Sequence, residues 1–309
     1  MERGTNKAKM HHFVPRSYLA RFADDQGFVH VYDRNTRSLR RQRPKNVMKI
    51  NSYYRQEWAP EGVDPNIMEM MLGEWLEAEA KGAIDRLIEA PAQLTDDDTA
   101  NLMAYIELQR TRVPRQAATA KALMRATILR IAPPAAVKAI TSGEVQLKIK
   151  DSARFDYMRM MVGMLSPWFG RMEWEVFEAD GGASFIATDS PVSFYNSSIL
   201  PPAEAGIGLA GTMVFFPLSS RHTLVMRHPE YSQIGAASPL DVLPTPKHED
   251  GQIPIIHGAI WSREVVDNFN WKLVQLSSRL IVAESSEVLS RCISKKGESI
   301  PSVNIGAAR

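Results

Sequence analysis

The chain has 309 residues, 44% hydrophobic and 23% charged, a composition typical of a globular protein with one large domain or two modest ones. Its single cysteine, Cys292, excludes an internal disulfide framework and a zinc–thiolate cluster, and it suits a reducing compartment. The first residues do not resemble a signal peptide, and no apolar run approaches the roughly 18 residues of a membrane span, so we expect a cytoplasmic protein without a membrane partner.

The net charge of +2 conceals a strong segregation of charge along the chain. Residues 1–50 hold 12 Lys and Arg against 4 Asp and Glu, and residues 99–172 hold 12 against 4. Residues 51–98 hold 3 against 12, and residues 173–309 hold 10 against 15. Such segments often pair with one another inside a fold. The alternative is a basic face that binds a phosphate backbone, centred on Arg40, Arg41 and Arg43.

Short elements are predicted for the N-terminal part. Residues 11–15 have an extended pattern, 16–24 have a helical pattern, and 28–32 and 37–43 predict two strands joined by a turn. Residues 1–10 are expected to form a flexible tail, as are residues 295–309.

The middle of the chain predicts helices. Apolar residues recur at helical spacing over 65–90, 115–131, 134–141 and 152–166. Another helix is expected to begin after Thr95, whose side chain can cap it, and to end near residue 113, because Pro114 cannot continue it.

From residue 168 the pattern changes to strands. Residues 172–179 and 184–188 predict one hairpin, and 212–217 and 222–226 predict a second. A helix at about 261–277 and a strand at 279–283 follow. The order of elements predicts an α+β fold, with a helical middle layer packed on a mainly antiparallel sheet built from N- and C-terminal segments. We expect a single domain over 11–290, with residues 50 and 167 as alternative boundaries.

Two adjacent histidines, His11 and His12, are the strongest chemical feature, because imidazole binds transition metals and exchanges protons near neutral pH. In an extended segment the two rings point to opposite faces, so one can enter a site while the other supports it. Their spacing resembles that of His-Asn-His nucleases, although a helix rather than a hairpin loop is predicted to follow here. A structural pair bonded to the backbone is the alternative.

Three further side chains can carry chemistry or support the fold. Asp189 follows an apolar strand and can bind a metal or orient an imidazole, or accept backbone N–H bonds in its Asp-Ser-Pro turn. Arg112 can bind an anion or the last carbonyls of its own helix. Asn270 can contact a ligand or a neighbouring loop. The absence of a Gly-rich phosphate loop argues against P-loop and Rossmann chemistry.

Several blocks of the sequence resemble the bacterial domain-of-unknown-function family 4238. The blocks are His11-His12-Phe13-Val14-Pro15, the Gly-Phe-Val-His-Val-Tyr-Asp segment at 27–33, Tyr53-Tyr54, Gln109-x-x-Arg112-x-Pro114, the segment 185–192, Phe216-Pro217-Leu218-Ser219 and Asn270. The resemblance covers about residues 11–290, with Ala187-Thr188-Asp189 where the family usually has Thr-Ser-Asp. It implies a bacterial setting, in which defence nucleases are common, but no reaction.

These patterns lead to the hypothesis of a metal-assisted phosphodiester hydrolase that acts on nucleic acid. His12 and Asp189 are the predicted catalytic residues, and His11 and Asp189 are the predicted ligands of Mg, Mn or Zn. The predicted substrate-binding residues are Arg16, Arg40, Arg41, Arg43, Arg112 and Asn270. The alternatives are a non-catalytic binding or scaffold protein with a structural histidine pair, and a hydrolase or transferase that uses His12 and Asp189 without metal. A protein partner or a homo-oligomer also suits the aromatic N-terminal block.

Overall fold

A computed structural model describes residues 10–55, 77–149, 153–161, 163–201, 203–228 and 253–294. The predicted tails, apart from residue 10, lie outside the described residues, as does the first half of the predicted helix at 65–90. The described elements form an α+β fold with antiparallel and mixed sheets, so the predicted fold class is confirmed.

Helices fill the middle of the chain and two C-terminal segments. They are α1 Arg16–Ala20, α2 Glu77–Glu89, α3 Asp96–Thr111, α4 Pro114–Ile131, α5 Pro134–Thr141, α6 Ala153–Met161, α7 Ser166–Phe169, α8 Arg263–Leu276 and α9 Ser286–Ser294. Thr95 caps α3 as predicted: its hydroxyl accepts the Asp98 N–H, and the Asp98 carboxylate accepts the Thr95 N–H. Pro114 ends α3 and begins α4.

The strands form three sheets. They are β1 Met10–His12, β2 Val29–Asp33, β3 Ser38–Gln42, β4 Lys49–Asn51, β5 Glu173–Ala179, β6 Ala187–Thr188, β7 Ser193–Tyr195, β8 Met213–Pro217, β9 His222–Arg227, β10 Ile255–Trp261 and β11 Leu280–Ala283. The sheet orders are β1-β4, β3-β2-β11-β6 and β10-β5-β9-β8-β7. The four-stranded sheet thus combines segments from the two ends of the chain, as the sequence predicted. Only the β5–β10 pairing is parallel among the described strands.

The five-stranded sheet is covered on both faces. Along β8, Val214 and Phe216 pack in one hydrophobic core with α1 and α3, while Met213 and Phe215 pack in a second core with α8 and β11. Alternate residues of a strand point to opposite faces, which is why every residue of β8 is buried.

One prediction for the C-terminal half is wrong. Residues 172–179 and 184–188 do not form a hairpin: β5 pairs with β9 and β10, while β6 joins β11 in the other sheet. The reason is a buried polar contact, because the Asn270 side chain binds the Ser184 carbonyl and the Ile186 N–H and draws that segment toward α8. Strand β10 and helix α9 were not predicted. The second hairpin, now β8 and β9, is confirmed.

Candidate functional site

The predicted histidine pair lies in a closed assembly that we call the N-terminal histidine cluster, comprising His11, His12, Tyr53, Tyr54 and Arg112. Strand β1 pairs with β4 and so brings the histidines to the Tyr pair that follows β4. His11 is fully buried, its Nδ1 accepts the Tyr54 N–H at 2.7 Å, and its ring stacks on Tyr54 with a centroid separation of 5.7 Å. Because Nδ1 accepts, the neutral ring carries its proton on Nε2.

Arg112 fastens this cluster to the helical layer. Its Nε donates to the Phe13 carbonyl at 2.9 Å, and its Nη2 donates to the His12 carbonyl at 3.2 Å. Its Nη1 binds the Glu77 carboxylate at 3.0 Å, and the Tyr53 hydroxyl donates to the Arg112 carbonyl at 3.0 Å. The guanidinium is fully buried, so these contacts favour a supporting role for Arg112 over the predicted role in substrate binding.

His12 is the more accessible histidine. Its side chain is half-buried, and Nε2 lies 3.2 Å from the Lys45 carbonyl. A carbonyl oxygen can only accept, so Nε2 is the donor in this contact. Because His12 is less buried than His11, it is the better placed of the two to exchange a proton with a ligand or with solvent.

Asp189 directly follows β6, in the short turn that leads to β7. Its carboxylate accepts the backbone N–H groups of Ser278, Arg279 and Leu280 at 2.9, 2.7 and 3.0 Å. Burial raises the pKa of Asp189, and the three N–H groups offset only part of that rise. No hydrogen bond or ion pair among the described residues joins Asp189 to His11 or His12.

The other predicted substrate-binding residues are dispersed. Asn270 is fully buried and used on Ser184 and Ile186. Arg41 binds Asp24 through Nε and Nη2, and the Arg43 guanidinium lies 4.6 Å from the Phe28 ring centroid. Arg40 is half-buried on β3, and Arg16 is exposed at the start of α1. The structure therefore brings Arg112 to the histidines but gathers no further predicted site residue there.

The predicted metal ligands fit a metal poorly. Within the described ranges, no three His, Cys, Asp or Glu side chains are grouped so that they could hold a metal ion. Both oxygens of Asp189 already accept N–H groups, and the Nδ1 lone pair of His11 is used by Tyr54. Metal binding stays a prediction.

A large open cavity lies at another place, and we call it the Arg34–Arg115 cavity. Its volume is about 880 Å³, within the roughly 300–1,000 Å³ of small-molecule sites. It is lined by Arg34, Asn35, Arg115, Thr119, Pro201, Glu204, Gln275, Ser277 and Ser278. Eight of these nine side chains are polar, and most of them can donate hydrogen bonds.

The C-terminal end of α8 holds both arginines of this cavity. Arg34 donates from Nη1 to the Val274 and Ser277 carbonyls at 2.9 and 2.7 Å. Arg115 donates from Nη1 to the Leu276 carbonyl. Cations are favourable beside the carbonyls that end a helix, so the same contacts that cap α8 fix the two guanidiniums at the cavity wall. For Arg34, Nε and Nη2 bind no other described residue.

Glu204 is the single acidic residue among the described residues of the cavity lining. It forms ion pairs with Arg110 and Arg115 and accepts a hydrogen bond from Gln116 at 3.1 Å. Burial alone would raise the pKa of Glu204, but the charges of Arg110 and Arg115 outweigh it and hold the pKa below its usual value. Glu204 therefore stays ionised and holds Arg115 in place.

The cavity floor connects to the predicted residue Asp189. Ser278, which lines the cavity, donates its N–H to Asp189, and the next residue, Arg279, binds Asp33. The Arg279 contact lowers the pKa of Asp33 to about 2. The buried carboxylates of Asp33 and Asp189 thus hold the segment between α8 and β11 in position. Asp189 supports the cavity in this way without lining it.

Sequence reasoning did not select the cavity residues. They come from the β2–β3 turn, the start of α4, the loop after β7 and the end of α8, which are far apart in the chain. The available signals were weak: Arg34 lies in an Asp-Arg-Asn turn, and Arg115 follows a helix-starting proline.

The protein is thus an α+β protein with a polar cavity of small-ligand size, which lies beside the connection between α8 and β11. The chain belongs to the family described as "Protein of unknown function (DUF4238)", whose model matches residues 10–287. The resemblance inferred from the sequence blocks is thereby confirmed. No curated protein and no solved structure matches the chain. Among the described residues, no helix has the length and apolar character needed to cross a membrane.

Proposed function

We propose that the protein binds phosphate groups of nucleic acid in the Arg34–Arg115 cavity. The observation that carries this proposal is the convergence of two fixed guanidiniums with the hydroxyl and amide groups of Thr119, Asn35 and Gln275. Arginine donors in a fixed fork match phosphate oxygens, and donors already held in place lose little entropy on binding.

The charge of the helical layer supports the choice of a polyanion over a single small anion. Residues 108–143, which include all of α4, hold seven Lys and Arg and no Asp or Glu. Arg130 is exposed and lies fifteen residues after Arg115, about 60° around α4 from it and about 22 Å further along the helix. A phosphate backbone that enters the cavity would meet further positive charge along this helix.

Cleavage of the bound strand is a separate prediction. His12 is the candidate base, because it is the more accessible histidine of the pair, but it has no described contact with Asp189. A non-catalytic binding protein is the second candidate, and the three backbone N–H groups on Asp189 favour it.

Binding is tested by fluorescence anisotropy with labelled single- and double-stranded DNA and RNA over a range of salt concentrations. The informative variant is Asn35→Asp combined with Gln275→Glu, which keeps both side-chain sizes and adds two negative charges to the cavity. We expect binding to weaken at least tenfold, and the affinity of wild type to fall steeply with salt.

The matched control is Asn46→Asp combined with Gln93→Glu, which makes the same change in net charge at exposed positions outside the cavity. Equal loss of binding in both double variants would show a general charge effect and contradict the cavity as the site. An affinity that does not change with salt would contradict phosphate recognition altogether.

Cleavage is tested on the same oligonucleotides with Mg, Mn and Zn, comparing wild type with His12→Ala. Products formed by wild type and lost in His12→Ala would support the hydrolase. Binding without products under every metal would support the non-catalytic candidate. Elemental analysis with metal well below one per chain would remove the metal-assisted mechanism.

A further inference from the structure

A second pocket lies on the other side of α4, and we call it the Tyr53–Arg154 pocket. Its volume is about 310 Å³, at the lower limit of the roughly 300–1,000 Å³ of small-molecule sites. It is lined by Ile50, Tyr53, Pro114, Ala117, Ala118, Lys121 and Arg154. None of these residues is among those that line the Arg34–Arg115 cavity.

The walls of this pocket combine apolar surface with positive charge. Four lining residues are aliphatic, one is aromatic, and Lys121 and Arg154 are the two charged ones. Among the residues that the structure describes, no acidic side chain lines the pocket, in contrast to the first cavity with its Glu204. An apolar body with one negative group is therefore the complementary ligand.

The aromatic wall is fixed in position. The Tyr53 hydroxyl donates to the Arg112 carbonyl at 3.0 Å, and burial raises the pKa of Tyr53, so the hydroxyl stays a donor. The Arg154 guanidinium lies 4.0 Å from the Tyr53 ring centroid and 4.7 Å from that of Phe155. The two aromatic contacts therefore hold the Arg154 cation in place at the pocket wall.

Arg154 also has unused hydrogen-bonding capacity. Its Nε is buried and finds no hydrogen-bond acceptor among the described residues. A buried donor without an acceptor is costly, by about 1–3 kcal/mol, so such donors in native proteins usually indicate a bound water, ion or ligand. The buried Nε without an acceptor, beside a pocket of this lining, is the second observation that points to a ligand.

We propose that the Tyr53–Arg154 pocket binds a planar aromatic anion, with the ring against the apolar wall and the anionic group on Arg154 and Lys121. An aromatic carboxylate and a nucleobase carrying its phosphate share this chemistry. The proposal does not depend on the function of the Arg34–Arg115 cavity, because the two sets of lining residues are separate.

The test is isothermal titration calorimetry of the full chain with benzoate, 5′-AMP, benzyl alcohol and inorganic phosphate. We expect benzoate, 5′-AMP or both to bind with one site in the pocket, and the tighter of the two identifies the source of the ligand. Benzyl alcohol, which has the ring without the charge, should bind at least tenfold more weakly than benzoate.

Two variants locate the binding. Ala118→Leu fills the pocket without removing any polar contact, and Arg154→Gln removes the cation. Each should weaken the aromatic anion at least tenfold. The matched control is Ala126→Leu, the same change at an exposed position two turns later on α4.

Absence of binding by both aromatic anions at millimolar concentration would overturn the proposal. Binding that is equal in wild type and Ala118→Leu would do the same, since it would place the ligand elsewhere. Inorganic phosphate that binds equally to wild type and Ala118→Leu, but weakly to the Asn35→Asp and Gln275→Glu double variant, would report on the other cavity alone. The two proposals can therefore fail independently.

Discussion

The N-terminal histidine cluster and the Arg34–Arg115 cavity use the same kinds of side chain in opposite ways. In the cluster, Arg112 is fully buried and directs its guanidinium at two backbone carbonyls and Glu77. In the cavity, Arg34 contacts the described residues through Nη1 alone, and its side chain lines the open space. Reactive or charged side chains that stand out in a sequence can therefore stabilise the fold, and they need not contact a ligand.

The largest expected effect on stability comes from a substitution in the N-terminal histidine cluster. Arg112→Leu should lower the free energy of unfolding by about 3–5 kcal/mol, because it leaves the carbonyls of His12 and Phe13 and the Glu77 carboxylate without their buried partner. Urea unfolding measures this. The control is Arg159→Leu on the exposed surface, which should change stability by less than about 0.5 kcal/mol. An Arg112→Leu protein of wild-type stability would show that the cluster is not structural.

Asp189 should give the next largest effect. Asp189→Ala removes the acceptor of three backbone N–H groups and should destabilise the protein by about 2–3 kcal/mol. The same variant should weaken anion binding only indirectly, through the position of Ser278. Loss of all cleavage with unchanged stability would instead make Asp189 a catalytic residue and break the comparison.

Lys272 offers a substitution that should raise the free energy of unfolding rather than lower it. It is buried on α8 with its ammonium 4.6 Å from the Tyr195 ring centroid, and burial lowers its pKa to about 8. A charged group held in such a place costs free energy, about 1.4 kcal/mol for each unit of pKa shift. Lys272→Met should therefore raise the free energy of unfolding at pH 7 by on the order of 1–3 kcal/mol. The gain should shrink above pH 8, where the lysine is neutral in the folded protein.

The smallest predicted effect is the dependence of the unfolding free energy on pH under acidic conditions. Arg279 lowers the pKa of Asp33 to about 2, so the folded protein keeps this carboxylate ionised where the unfolded chain takes up a proton. The stability from the pair is complete above about pH 4 and is lost as the pH falls to about 2. The difference in unfolding free energy between wild type and Asp33→Asn should shrink across this window. A constant difference would contradict the ion pair.

The sequence predicted those parts of the fold that depend on local patterns. The cap of Thr95, the break at Pro114 and the β8–β9 hairpin follow from neighbouring residues alone. The pairing of β6 with β11 does not, because it depends on Asn270 reaching Ser184 across 86 positions of the chain. Pairing between distant strands is set by tertiary contacts that no local pattern contains.

The candidate site was predictable only in part for the same reason. The structure places Arg112 beside the histidine pair, while the predicted roles of these residues in catalysis and substrate binding stay predictions. The cavity was not predicted, because nothing in the sequence near Arg34 or Arg115 shows that both side chains bind the C-terminal end of α8. A lining assembled from four distant segments leaves no motif in the sequence.

The most direct test of the account is the location of a bound phosphate mimic. Crystals soaked in sodium tungstate, whose anomalous signal identifies the anion, should show it between Arg34 and Arg115 and in contact with Arg34 Nε or Nη2. Tungstate bound at the histidine cluster or along β3, with none between these two arginines, would contradict the assignment of the open cavity as the phosphate site.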